Sequence, residues 1–133
     1  MGGVSAREAM RAGLLTALGT ALRPLSVAVF DAPPVRGGVP QVVLGEPLES
    51  DWGAAGVEGR ELRWPATLTD EGERPVRLRA VVAAAEAVRL PAMLADGWRV
   101  AGLVATTTRF VRGAGPRWAV TIEWRARLWR AAQ

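Results

Sequence analysis

"RWAVTIEWRARLWR", residues 117–130, alternates with period two over most of its length. Trp118, Val120, Ile122, Trp124, Ala126 and Leu128 share one parity. Arg117, Thr121, Glu123, Arg125 and Arg127 share the other. Successive strand side chains point to opposite faces, so the stretch predicts a strand with one buried and one polar face. Upstream lies "WRVAGLVATTTRFV" (98–111), and "RGAGP" (112–116) separates the two. Two strand-like runs around a Gly-containing turn read as a β-hairpin. At about 3.3 Å per residue each arm would run past roughly 40 Å. A small domain cannot cover such a length, so the tip or tail is expected to project and meet another molecule.

The rest of the chain is read outward from this hairpin. "SAREAMRAGLLTALGTALRP" (5–24) predicts a helix, with Leu14, Leu15, Leu18 and Leu22 at helical spacing. Ser5 and Glu8 form an S-x-x-E capping box, and Pro24 stops the run. Gly13 and Gly19 each cost about 1 kcal/mol against Ala, whether for close packing or by mere tolerance. "LSVAVFD" (25–31) and "QVVLGEPLES" (41–50) are strand candidates around the loop "APPVRGGVP". "RELRWPATLT" (60–69) alternates, but Pro65 cannot donate to a ladder, which predicts an edge strand or a break. "PVRLRAVVAAAEAVRL" (75–90) carries an apolar stripe of Leu78, Val81, Val82, Ala85 and Val88, giving a helix of about four turns. "PAMLADG" (91–97) caps or extends it. The fold class expected is α+β: a mainly antiparallel sheet with a long C-terminal hairpin and two helices packed on one face. A length of 133 residues suits a single domain over 1–133.

Composition narrows the chemistry. The chain has no His, Cys, Lys, Tyr or Asn. The usual zinc and iron ligand sets, a Ser-His-Asp triad, a Schiff base and a phosphate-loop lysine are therefore out of reach. Carboxylates, arginines and three serines remain. A paired-carboxylate hydrolase is formally possible, but no catalytic, cofactor-binding or metal-binding residue is expected. All seventeen basic residues are Arg, interleaved with thirteen acids for a net charge of +4. They form no run of like charge. No stretch is long and apolar enough to span a bilayer, and Arg and Glu interrupt the N-terminus where a signal peptide needs an apolar core.

"DEGERPVRLR" (70–79) concentrates charge where a helix should begin. With Gly72 as N-cap, Pro75 falls in the first turn, where its missing N–H costs nothing. Asp70, Glu71 and Glu73 would then lie beside the positive end of the helix dipole. Glu73 and Arg77 would form an i,i+4 pair. Arg74 and Arg79 exceed what the helix needs and point to a partner. Among six tryptophans, Trp64, Trp118 and Trp124 fall on apolar faces and are expected in the core. Trp52 in a loop and Trp129 on the polar face are expected at interfaces, where large aromatics act as anchors. Arg125 and Arg127 stand in a row with Glu123, which predicts a solvated face or a subunit contact more than a base-stacking sheet.

The layout resembles the tail terminator (tail-completion) proteins of phages with long non-contractile tails and of the gene transfer agents derived from them. The residues that carry the resemblance are "SAREAMRAGLLTAL", "VFDAPPVRGGVPQVVLGE" with its V-P-x-V-V-x-G-E element, the "DW" loop, "DEGERPVRLRAVVAAAEAV" and the closing "GWRVAGLVATTTRF … RWAVTIEWRARL". It covers nearly the whole chain, and the gene-transfer-agent branch, where "DW" is followed by "DEGERPVRLR", is the nearer. Gln41 departs from the pattern, which often has an aromatic after that proline.

The resemblance implies a hexameric ring of identical copies on the last ring of tail-tube subunits. It would stop tube polymerisation and offer a surface to the head connector. DNA would pass through its channel without specific binding. The protein would be cytoplasmic during assembly and then sit at the head-proximal end of the tail. Its partners would be itself, the major tail tube protein and the head–tail connector or stopper. The candidate subunit and partner contacts are Trp52, Asp70, Glu71, Glu73, Arg74, Arg77, Arg79, Arg125, Arg127 and Trp129. Replacing Arg74 and Arg77 by Glu is expected to impair assembly of a folded monomer. The alternatives are a head-side connector or stopper, and a small Arg-rich nucleic-acid-binding module.

Overall fold

The computed structural model describes residues 3–132. In chain order the elements are α1 (Ala6–Leu22), β1 (Ala28–Phe30), β2 (Gln41–Leu44), β3 (Leu48–Asp51), β4 (Val57–Glu71), α2 (Val76–Glu86), β5 (Arg99–Arg112) and β6 (Arg117–Ala131). The strands form one sheet in the order β1-β2-β4-β6-β5, with β3 continuing beside β4 where β2 stops. Only β1 and β2 are parallel. The architecture is the expected α+β arrangement, with the long C-terminal hairpin formed by β5 and β6.

The alternation at 117–130 is realised as read. Val120, Ile122, Trp124, Ala126 and Leu128 are buried. Opposite them β4 contributes Leu62, Trp64, Ala66 and Leu68, with Trp64 directly across from Trp124. Both helices pack on this face. Met10, Leu14, Leu18 and Leu22 of α1 and Leu78, Val81, Val82 and Ala85 of α2 share one core with the strands. Ser5 caps α1, its Oγ accepting from the Glu8 N–H at 3.1 Å. Pro24 lies in a short 3-10 turn, Arg23–Leu25, that ends the helix. Gly13 is needed for close approach, because a Cβ there would come within 3.1 Å of the Leu90 and Leu94 side chains. Gly19 has nothing near it and is simply tolerated.

Several expectations are corrected. The hairpin does not project alone. β4 pairs with β6 from Val57 opposite Ala131 to Glu71 opposite Arg117, so the second arm is flanked along its whole length. Pro65 does not mark an edge either: β4 is central. The break lies in its neighbour. The predicted strand 41–50 is two strands, β2 ending opposite Ala66 and β3 beginning opposite Arg63. Pro65 faces the joint, where its carbonyl accepts from Gly45 N–H at 2.8 Å. A residue's N–H and C=O point the same way in a strand, so the missing donor falls in that gap and costs no ladder bond. The strand expected at 25–31 is confined to Ala28–Phe30.

The second helix is shorter than four turns. It spans eleven residues, and Pro75 rather than Gly72 is its N-cap. It stops before Leu90-Pro91, where the residue preceding proline disfavours helical backbone. Residues 91–97 do not extend it; they form a loop with a 3-10 turn at Ala95–Gly97. Because β4 runs on to Glu71, Asp70 and Glu71 belong to a strand, and no acid lies in the first turn of α2.

Candidate functional site

Three surfaces hold the residues singled out in the sequence. The first is the corner between β4 and α2. Asp70 is buried, 4% exposed, on the core-facing parity of β4. From the first turn of α2, Arg77 reaches back over it: Nε donates to Oδ2 at 2.8 Å, and NH2 donates to Oδ1. Oδ1 also accepts the Glu71 N–H at 2.8 Å. The Arg77 bond holds the Asp70 carboxyl below its usual range; burial opposes this, and the Glu71 amide assists. The expected Glu73–Arg77 pair is not made, since the guanidinium is spent on Asp70. The pair therefore ties sheet to helix within the chain. Glu73, Arg74 and Arg79 are exposed and have no ion-pair partner among the described residues. Glu71 is partly used by Arg117 at 3.6 Å.

The second surface is the sheet face that no helix covers. Directly paired antiparallel residues share a face, so the register assigns it. β6 contributes Arg117, Thr121, Glu123, Arg125, Arg127 and Trp129. β4 adds Glu61, Arg63, Pro65, Thr67, Thr69 and Glu71, while β5 adds Arg99, Val104, Thr107, Arg109 and Val111. Arg127 donates to Glu61 at 2.8 Å, and this bond keeps the Glu61 carboxyl below its ordinary range. Arg127 also stacks on Trp52 at 5.4 Å, and Arg99 on Trp129 at 5.6 Å. Trp52, Arg125, Arg127 and Trp129 are thus brought to one face, well away from the α2 corner. Sequence reasoning missed Arg63, Arg99 and Arg109 here, because only the pairing register shows which parity of β4 and β5 joins that of β6.

The third surface is a shallow apolar cleft of about 520 Å³ between α1 and the segment after α2. Ala9, Gly13, Ala17, Val88 and Leu94 line it, and Arg89 is its one charged side chain. Its hydroxyls are those of Thr16 and Thr20, and no carboxylate lines it. Among the described residues no group of three Asp or Glu side chains could hold a metal ion. No helix is long and apolar enough to cross a membrane. At the opposite end of the sheet, Arg130 stacks over Trp98 at 4.2 Å and bonds Asp96 at 2.8 Å. Trp98 Nε1 donates to the Val4 carbonyl at 2.8 Å, which fastens the N-terminal segment.

No family model matches the chain, and no curated protein matches it. Among solved structures it is similar to a chain of the virion of a native gene transfer agent particle, at a TM-score of 0.72 and 22% identity. The likeness covers 92% of this chain and 98% of that one. At this identity what the two chains share is the fold: the same sheet and helices over nearly their full lengths.

Proposed function

We propose that this protein is a structural subunit of a phage-like particle. It assembles into a ring of six copies that caps the tail tube, stops its polymerisation and joins the tail to the head connector. The observation that carries the reading is the near end-to-end likeness of fold to a chain of a gene transfer agent virion. Two features of the chain support it. The sheet has two different borders, β5 on one side, bridged by residues 92–94 at Arg99 and Val100 and open beyond them, and the short β1 and β3 on the other. Unlike borders on one chain suit head-to-tail contacts that close into a ring. The charged corner before α2 offers Glu73, Arg74 and Arg79 in mixed sign, an arrangement that fixes register between neighbours more than it adds affinity. DNA passes through the ring without sequence-specific binding.

Two results test this. Particles made without the protein should show overlong tails lacking heads in negative stain; headed particles with normal tails would sink the reading. In the purified protein, Arg74→Glu with Arg79→Glu should shift sedimentation from ring to monomer while leaving the monomer folded, with an unchanged circular dichroism spectrum. Arg77 is unsuited to this experiment, because it holds Asp70 inside its own chain. A double variant that still sediments as the parent would remove the α2 corner from the ring contact.

A further inference from the structure

We propose that the uncovered face of the sheet is a docking surface for the phosphate backbone of a nucleic acid, read without regard to sequence. The register places Arg63, Arg99, Arg109, Arg117, Arg125 and Arg127 on this face against Glu61, Glu71 and Glu123. Six arginines against three glutamates leave three of the chain's four net positive charges on one side of one sheet.

The carboxylates do not neutralise it evenly. Glu61 is engaged by Arg127 at 2.8 Å and Arg63 at 4.0 Å, and Glu71 by Arg117 at 3.6 Å. Arg109 and Arg125 have no carboxylate within ion-pair distance among the described residues. Arg125 lies directly across from Arg63. Like charges opposite one another cost stability, and a bound anion relieves that cost. Thr67 and Thr121, paired with each other between the arginines, add hydroxyl donors suited to phosphate oxygens.

The distribution of apolar side chains separates this partner from a protein. Interfaces between proteins have an apolar centre and a polar rim. Here the middle of the face is mostly polar. Leu48, Val104 and Val111 are exposed on the lateral strands β3 and β5, while the central strands β4 and β6 carry Arg, Glu and Thr, with Pro65 and Trp129 the large apolar side chains among them and Trp129 lying under Arg99. Neither a helix nor a free two-stranded ribbon stands on this face to enter a groove, since β6 is flanked by β4 and β5 in a broad sheet, so the contact is to the backbone. The inference goes beyond the ring reading and holds for a single copy as well as for a ring.

The test is fluorescence anisotropy with a short fluorescein-labelled DNA duplex of arbitrary sequence, titrated at several salt concentrations. Binding should be micromolar at low salt and fall steeply as salt rises, with a log–log slope of about −2 to −3 for two or three phosphates neutralised. Arg109→Glu with Arg125→Glu should weaken it at least tenfold, and the milder Arg109→Gln with Arg125→Gln should weaken it less. Arg74→Glu with Arg79→Glu, on the helix side, should bind as the parent does. Sedimentation of each variant reports the ring separately. DNA binding lost while the ring persists supports this inference, and DNA binding by a chain that forms no ring sinks only the ring. Absence of binding at low salt, or equal binding by the Arg109/Arg125 variants, overturns the proposal. So does stronger competition by poly-glutamate than by unlabelled DNA at equal charge, which would make the ligand an acidic protein.

Discussion

Replacing Trp64 by alanine should lower the stability of the folded chain by about 3–5 kcal/mol, the range for emptying a buried aromatic site. Trp64 is fully buried at the centre of β4. Its Nε1 donates to the Gly45 carbonyl at 2.8 Å, at the joint where β2 gives way to β3. Arg11 lies over the ring at 5.1 Å and grips Glu46 through two bonds of 3.1 and 3.2 Å. One side chain therefore fills the core and closes the gap in the neighbouring strand. Phenylalanine separates the two roles. Trp64→Phe keeps most of the apolar contact but strands the Gly45 carbonyl, at a cost of about 1–2 kcal/mol. Trp124, its cross-strand partner, is equally buried, yet its Nε1 has no hydrogen-bond partner among the described residues. Trp124→Phe removes an orphaned donor and should cost less than Trp64→Phe. Urea unfolding of the two variants decides it; equal losses would show that the Gly45 bond contributes nothing.

Arg77→Ala should destabilise the folded chain at neutral pH, because it leaves the Asp70 carboxylate buried with only the Glu71 amide. The loss should be smaller than for a fully buried pair, because the Arg77 side chain is 56% exposed and water screens it. The pair also sets a pH dependence. The folded-state pKa of Asp70 lies below its unfolded value, chiefly through the Arg77 bond. The stabilisation is therefore present above about pH 4, the unfolded value, and is lost as pH falls through the lower folded value. The difference between the parent and Arg77→Ala should narrow on acidification through that window. Unfolding midpoints at neutral and acid pH measure it. A difference that stays constant with pH would mean that the loss comes from packing of the Arg77 stem rather than from its charge.

Much of this was legible in the sequence where a periodicity ran long enough to outweigh local signals. Residues 117–128 hold their alternation for most of β6, so hairpin, buried face and polar face all followed. Pro65 misled because a proline reports only its own missing donor. Whether that donor is needed depends on a gap in a strand some twenty residues earlier. The charge at 70–79 misled in the same way. Spacing rules for helices pair residues three or four apart, whereas Asp70 and Arg77 meet across a strand–helix corner at a separation of seven. The polar face was half visible: the β6 arginines were seen, but Arg63, Arg99 and Arg109 joined them only through register. A slip of one residue would have sent each to the core.

The irregularities in β5 bear on what its outer border can pair with. Its pairing with β6 shifts register between Val100 and Leu103 and again between Ala105 and Thr107. The longest regular run left on that border is Thr107–Arg112, whereas β4 and β6 match without interruption from end to end. An incoming strand from another copy can thus gain only a short zip of backbone bonds, far fewer than the chain makes with itself. Such a border is a poor template for open-ended edge-to-edge growth.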